Sequence, residues 1–232
     1  MPGADASYLN LGIYSLAEAS RFTRVSSGRI RRWLKGYQFR SGKKEYASPP
    51  LWRGQYQPIG SKLALGFLDL IEVKFVEAFL EAGVSWDMIH KARDIAANRF
   101  PGESHPFCTQ KFVTDGREIF VQLRNESRQS SLLEIGDSQQ VFTAMLQPVQ
   151  DGLEFGDGGI LLRWWPRGRE NKVALDPKRS FGQPVVFAEG VPTAVLARSV
   201  KANGSTEEAA RWYEITVEAV ENAVQFEREF PV

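Results

Sequence analysis

The chain has 232 residues, of which 29 are lysine or arginine, 28 are aspartate or glutamate and 43% are hydrophobic. These proportions are ordinary for a globular protein, and the length fits one large domain or two to three small ones. No apolar run approaches the roughly 20 residues that a membrane-spanning helix needs, and residues 1–10 lack the profile of a signal peptide. The single cysteine excludes an intrachain disulfide, which fits a reducing cytoplasm. We therefore expect a cytoplasmic protein that is not inserted in a membrane, and we expect no metal or cofactor.

Charge is distributed unevenly along the chain. Residues 1–62 contain eleven basic and three acidic side chains, a local sum of +8, whereas residues 181–232 contain four basic side chains and eight glutamates, a local sum of −4. Lysine and arginine side chains that neutralise phosphates release bound counterions, which favours contact with a polyanion. We expect nucleic acid at the N-terminal end, and an acidic C-terminal segment that points away from it toward a protein partner.

The basic segment has the pattern of a helix-turn-helix. Ser15 and Glu18 have the spacing of a capping box, which predicts the start of a short helix. Residues 23–25 interrupt that helix, and a second helix is predicted to begin at Ser26 or Ser27 and to end near Gly36.

The second helix combines an apolar face with a cationic face. Ile30, Trp33 and Leu34 are spaced i, i+3 and i+4, so we expect them to face the core, with the basic side chains opposite them. Alternating aromatic and polar residues from Tyr37 to Gly42 then predict a β-hairpin, the wing. A cationic second helix is what a reader of the major groove requires. The residues predicted to contact DNA are Ser27, Arg29, Arg31, Arg32 and Lys35 of the helix and Arg40, Lys43 and Lys44 of the wing.

Two more helices are predicted after the wing. Residues 62–82 form an amphipathic helix whose apolar stripe runs from Phe67 to Leu80. Ser85 caps the next helix, which runs to about Asn98. The side chains predicted to face outward from the first of these helices are Glu72, Lys74, Glu77 and Glu81.

This order of elements resembles the DNA-binding domain of the MerR family. The string SLAEASRFTRVSSGRIRRWLKGY is similar to the helix-turn-helix signature of that family, and AFLEAGVSWDMIHKA is similar to the helix–glycine–helix after its wing. The resemblance covers about residues 12–98. It implies that Arg31 holds the DNA backbone, whereas Arg32 stands where the family usually has an aromatic residue. The chain also lacks the long C-terminal dimerisation helix and the metal-sensing cysteines of MerR regulators.

The pattern changes after residue 101 and predicts a small β-rich central region. A hairpin is predicted around Asp115–Gly116, a favoured type I′ pair, followed by a short helix within 132–146 and strands within 159–166 and 172–177. Trp164 and Trp165 are expected in the core, with a ligand pocket as the alternative.

One residue pair in this region has the residue types of a catalytic centre. His105 and Cys108 have the types needed for a nucleophile and its base, but no carboxylate has a spacing in sequence that would orient the histidine. We therefore expect no catalysis there.

The C-terminal segment is predicted to form short strands and three helices. The helices are Thr193–Ala202, one capped by Ser205 and one capped by Thr216. The string GQPVVFAEGVPTAVL and the helices after it resemble a small domain of unknown function found in many VapB-like antitoxins. That resemblance implies a PIN-type ribonuclease toxin as partner.

Together these observations predict an α+β fold with three parts: a winged helix-turn-helix over 1–100, a β-rich region over 101–178 and an antitoxin-type domain over 179–232. The leading hypothesis is a homodimeric, non-enzymatic antitoxin that binds double-stranded operator DNA, represses its own operon and neutralises a PIN-type toxin. The alternative is a MerR-like regulator that senses a small molecule through its central region. A nuclease or hydrolase would need converging carboxylates or a metal site.

Overall fold

Helices and small antiparallel sheets alternate along the chain in a computed structural model, which describes residues 10–42, 44–57, 62–126 and 139–231. The predicted α+β class is confirmed. The helices are α1 (Leu16–Thr23), α2 (Ser27–Lys35), α3 (Phe67–Glu81), α4 (Trp86–Arg99), α5 (Gln110–Glu126), α6 (Gln139–Gln150), α7 (Thr193–Asn203), α8 (Thr206–Tyr213) and α9 (Val217–Glu229). The strands are β1 (Tyr14–Ser15), β2 (Tyr37–Ser41), β3 (Lys44–Ser48), β4 (Ala64–Leu65), β5 (Leu153–Phe155), β6 (Leu161–Trp164), β7 (Val173–Leu175), β8 (Pro184–Val186) and β9 (Val191–Pro192).

The largest sheet is an antiparallel meander of β5 to β9, in chain order. Val173 of β7 pairs with Val186 of β8, and Ala174 pairs with Val185. All four of these residues are buried, as expected where a sheet lies inside the core. The sheet therefore continues across residues 178 and 179, where the sequence placed a boundary between the central and C-terminal parts.

The predicted hairpin around Asp115–Gly116 is wrong, because these residues lie in the middle of helix α5. A helical stripe explains the difference. Phe112, Ile119 and Leu123 recur at helical spacing and are buried on one side of α5. Gly116 belongs to the same stripe, where a Cβ atom would lie 3.0 Å from the Phe112 ring. The region predicted to be β-rich therefore contains two helices, α5 and α6, as well as its strands.

Helix α3 begins later than predicted and is more deeply buried. Ala64 and Leu65 pair with Ser15 and Tyr14 as β4, so the helix starts at Phe67 rather than at residue 62. The prediction that Glu72 faces outward is wrong, since only 1% of it is exposed. The core surrounds α3 on several sides, and a one-sided amphipathic pattern does not describe such a helix.

The C-terminal helices begin where the sequence predicted. The Ser205 hydroxyl accepts a hydrogen bond from the Glu208 N–H, and the Thr216 hydroxyl accepts one from the Ala219 N–H. These caps satisfy backbone donors that have no partner within the helix. Within the described ranges, no helix is both long and apolar enough to cross a membrane.

The C-terminal helix α9 packs directly on α1. Phe226 and Phe230 lie against Phe22, with ring centroids 6.3 and 6.5 Å apart. The Tyr14 hydroxyl donates to the Gly182 carbonyl at 2.7 Å, and burial raises the pKa of Tyr14 well above its usual range. The N-terminal helices and the C-terminal helices therefore share one core.

The same contact corrects the expectation that the acidic C-terminal segment points away from the basic head. Glu227 pairs with Arg21 at 2.5 Å, and Glu229 pairs with Arg24 at 3.2 Å. Two of the predicted tail glutamates thus neutralise arginines of the N-terminal segment.

Candidate nucleic-acid interface

The connection between α1 and α2 is fixed by local hydrogen bonds. The Ser15 hydroxyl accepts from the Glu18 N–H, and the Glu18 carboxylate accepts from the Ser15 N–H at 2.8 Å, which completes the predicted capping box. Arg24 ends α1 in the left-handed conformation, with φ of 63°, and its N–H donates to the Ser20 carbonyl. The Ser27 hydroxyl donates to the Leu16 carbonyl at 3.2 Å. The two helices are therefore joined by a short turn of defined geometry.

Helix α2 has the two faces that the sequence predicted. Ile30, Trp33 and Leu34 are buried, and Trp33 stacks on Trp86 of α4 with centroids 6.0 Å apart. The side chains of Arg31, Arg32 and Lys35 are exposed on the opposite side. Nine helical residues span about 13 Å at 1.5 Å per residue, a length that fits a major groove about 12 Å wide.

Two of the predicted contact residues on α2 make internal bonds instead of standing free. Arg29 forms a two-point pair with Glu77 of α3, at 2.6 and 2.7 Å, and its guanidinium lies 5.1 Å from the Trp33 ring centre. Ser27 is tied to Leu16 as described above. Among the described residues, neither Arg31 nor Lys35 forms an ion pair, so the free positive charge of α2 comes from its outer face.

The predicted β-hairpin is present as the antiparallel pair β2–β3, in which Arg40 is opposite Glu45 and Ser41 is opposite Lys44. Gly36 starts it with φ of 68°, and a Cβ atom there would lie 2.5 Å from the Ser48 carbonyl oxygen, so only glycine fits. The Arg40 guanidinium donates to the Glu45 carboxylate. Lys44 is exposed near the tip, and Lys43 lies outside the described residues.

The wing also exposes aromatic rings that the sequence analysis did not assign to a contact. Phe39 and Tyr46 are directly opposite in register and are each 45% exposed. Their rings stack with centroids 5.4 Å apart and an interplanar angle of 18°. Tyr37 lies next to Phe39, and the Arg32 guanidinium of α2 lies 5.7 Å from the Tyr37 ring centre. Strand alternation places these rings on one face, but it does not indicate whether another layer covers that face.

A buried polar cluster corrects one further expectation. The sequence offered no carboxylate to orient His105, whereas the fold places Asp69 of α3 2.8 Å from its Nε2 atom, with both side chains buried. Asp69 also accepts from the Trp52 indole and the Gly66 N–H. Burial raises the pKa of the Cys108 thiol well above its usual range, which suppresses the reactive thiolate. The cluster therefore supports the structure around α3 and lacks an activated nucleophile.

The structure also tests the ligand pocket and the metal site that the sequence analysis considered. Trp164 and Trp165 are 4% and 7% exposed, as the core prediction required. A cavity of about 640 Å³ opens elsewhere, among the starts of α3 and α5 and the turn before β6, with Phe67, Lys111 and Ile160 in its wall. In the described part of the chain, no three His, Cys, Asp or Glu side chains are grouped so that they could hold a metal ion.

Comparisons with known proteins identify a sequence relative and a structural neighbour. A protein of Mycobacterium tuberculosis (strain ATCC 25618 / H37Rv) that carries the name "Putative antitoxin VapB45" is 27% identical over 224 residues, which cover 91% of this chain and 92% of that protein. The X-ray structure of Rv2018 from Mycobacterium tuberculosis has a TM-score of 0.69 and 24% identity, and the match covers 91% of this chain and 96% of that one. This likeness shows a shared fold. No family model matches the chain.

Proposed function

We propose that the chain is a cytoplasmic, non-enzymatic antitoxin that binds operator DNA through a MerR-like winged helix-turn-helix and represses its own operon. The exposed cationic face of α2 beside the β2–β3 hairpin carries this proposal. The name of the mycobacterial relative supports the antitoxin role. Helix α2 would enter the major groove while the wing contacts the flanking backbone. The proposed contacts are Ser27, Arg29, Arg31, Arg32, Lys35, Arg40, Lys43 and Lys44.

Replacing Arg31 and Arg32 together with alanine is expected to abolish specific binding to the DNA upstream of the gene. Both side chains are exposed, so the melting temperature should stay within about 2 °C of wild type. Each arginine that contacts a base edge contributes about 1–3 kcal/mol of discrimination, so the double variant should lose at least about tenfold in specificity. A mobility-shift titration against a scrambled fragment measures this loss.

The matched control for that experiment replaces Arg198 and Arg211, which are exposed on α7 and α8. The control removes the same amount of positive charge from a different surface, and it should leave promoter binding unchanged. Equal affinity of the wild type and the Arg31/Arg32 variant for the promoter fragment would show that α2 is not the reading helix.

We further propose that the protein is a homodimer and that its partner is a PIN-type ribonuclease toxin. The sequence resemblance of residues 179–232 to the VapB-associated domain supports this partner. Exposed glutamates of α8 and α9, such as Glu207 and Glu221, would complement a basic partner surface. Co-expression with the product of the adjacent gene, followed by affinity purification, should recover a stoichiometric complex. Recovery of the tagged chain alone, with the adjacent product soluble and unbound, would contradict the proposal.

The alternative function is a DNA-binding regulator that senses a small molecule. The 640 Å³ cavity favours it, because ligand sites commonly measure about 300–1,000 Å³ and combine apolar walls with a few polar groups. Trp164 and Trp165, the alternative pocket residues of the sequence analysis, are not among the residues that line this cavity. A small molecule that co-purifies with the protein and shifts its promoter affinity would support this alternative.

A further inference from the structure

The aromatic face of the wing consists of Tyr37, Phe39 and Tyr46, and no second layer from the described part of the chain covers Phe39 and Tyr46. In the directly opposed pair Phe39–Tyr46, more than two fifths of each residue remains accessible. Large apolar side chains in strands usually pack against a second layer, and exposed ones that form a group mark contact surfaces. The rings stack on one another, which holds them in one orientation before any partner arrives.

This face is continuous with the outer face of α2. The Arg32 guanidinium, which is exposed, lies over the Tyr37 ring at 5.7 Å from its centre. Lys44 has the same strand parity as Tyr46 and is exposed toward the tip of the hairpin. The aromatic rings therefore lie between two cations, one on the helix and one on the wing, and neither forms an ion pair with a described residue.

The opposite face of the hairpin has a different character. Strand alternation places Gln38, Arg40, Glu45 and Ala47 there, and the charges of Arg40 and Glu45 are paired with each other. The described side chains of the aromatic face are Tyr37, Phe39, Lys44, Tyr46 and Ser48, and none of them is acidic. The two faces thus differ in charge and in apolar content.

We infer that the aromatic face of the wing, led by Phe39 and Tyr46, is a docking surface for duplex DNA, lying against deoxyribose edges next to the groove that α2 enters. The inference rests on the proposed function and adds the side of the wing that meets DNA. Sugar edges offer apolar contact, and the phosphates beside them are within reach of flanking cations such as Arg32 and Lys44. The positive flanks and the absence of acidic residues on this face favour DNA over a second copy of the chain.

The test compares two cross-strand pairs that are both exposed and lie on opposite faces. Phe39→Thr with Tyr46→Thr removes both rings and puts β-branched residues suited to a strand in their place, while Gln38→Thr with Ala47→Thr introduces the same two threonines on the other face without removing a ring. Removing roughly 100 Å² of apolar contact should weaken promoter binding by at least about tenfold in the first variant. The second variant should bind as the wild type does.

Salt dependence separates ring contacts from charge contacts. The slope of log affinity against log salt should not change in the Phe39/Tyr46 variant, because apolar contacts release no counterions. In Lys44→Ala the slope should fall by about 0.9. Exchanging the rings, with Phe39→Tyr and Tyr46→Phe, should restore most of the affinity.

Amide hydrogen exchange of residues 37–48 shows whether the hairpin survives each change. If the double threonine variant loses protection, the single variants Phe39→Thr and Tyr46→Thr, which each keep one ring, are compared with the wild type instead. Wild-type affinity in folded variants that lack these rings overturns the inference. A change in the oligomeric state of these variants in light scattering also overturns it, because the face would then contact a second copy of the chain. If the wild-type protein binds no promoter fragment, the proposed function fails as well; if it binds and only the ring variants are without effect, this inference alone is wrong.

Discussion

Replacing Trp33 with alanine is expected to lower the free energy of unfolding by about 3–5 kcal/mol, the usual cost of truncating a buried tryptophan. Trp33 is 5% exposed and its indole stacks on Trp86 of α4, while the Arg29 guanidinium lies 5.1 Å from the centre of the Trp33 ring. The Trp33 carbonyl also accepts from the Leu51 N–H, which anchors the chain after the wing. Truncation would leave a cavity where α2, α4 and the wing meet.

Urea unfolding followed by circular dichroism measures this loss. Lys35→Ala is the matched control, because it lies on the same helix with its side chain exposed and should change stability by less than about 0.5 kcal/mol. DNA binding of the Trp33 variant should disappear only where the protein is unfolded. Lost binding at an unchanged unfolding midpoint would mean that Trp33 touches DNA directly, and that the inner and outer faces of α2 have been assigned the wrong way round.

The start and the faces of α1 and α2 could be predicted because local signals decide them. Ser15 and Glu18 form their capping box within four residues, and Ile30 and Trp33 follow helical spacing. Gly36 ends the second helix because it alone fits against the Ser48 carbonyl. Such features depend on neighbours in sequence and change little with tertiary context.

Helix α5 shows where local signals fail. Asp115–Gly116 is a strong turn pair in isolation, and the residues on both sides alternate well enough for a hairpin. The deciding interaction is tertiary: Phe112 packs edge-to-face against Phe75 and Phe79 of α3, which requires the helical stripe of α5 to face that core. Packing against α3 therefore outweighed the turn preference, and no spacing within α5 reveals α3 as its neighbour.

Only part of the candidate site could be predicted, because some of its contacts are local and others are long-range. Exposure of Arg31 and Arg32 follows from the helix itself, but the pairing of Arg29 with Glu77 depends on a residue 48 positions away. The contacts of Arg21 and Arg24 with α9 span more than 200 positions. These long-range pairs determine which basic residues are free to meet a phosphate, so the net charge of the segment overstates its accessible positive charge.

The protein is expected to lose stability as pH rises from about 4.5 to 7, and Glu72→Gln should remove most of that loss. The pKa of Glu72 is raised from its ordinary value of 4.5 to about 7: burial in α3 is the main cause and Asp69 acts in the same direction, while His105, the Phe107 N–H and Arg93 act in the opposite direction. In this pH range the unfolded chain ionises Glu72 while the folded protein keeps its proton. Raising the pH therefore favours unfolding, by up to about 3 kcal/mol for a shift of this size.

Glutamine should avoid this penalty and preserve the local structure. Its side-chain oxygen can accept from the Phe107 N–H, as Glu72 does at 3.1 Å, and it has no proton to lose. The variant should match the wild type at pH 5 and exceed it in stability at pH 8, as measured by urea unfolding at a series of pH values. Glu81→Gln, an exposed change at the end of the same helix, should leave the wild-type pH profile unchanged. Parallel profiles of the wild type and the Glu72 variant between pH 5 and 8 would show that Glu72 is ionised throughout in the folded protein, and that the cluster of Asp69 and His105 accommodates its charge.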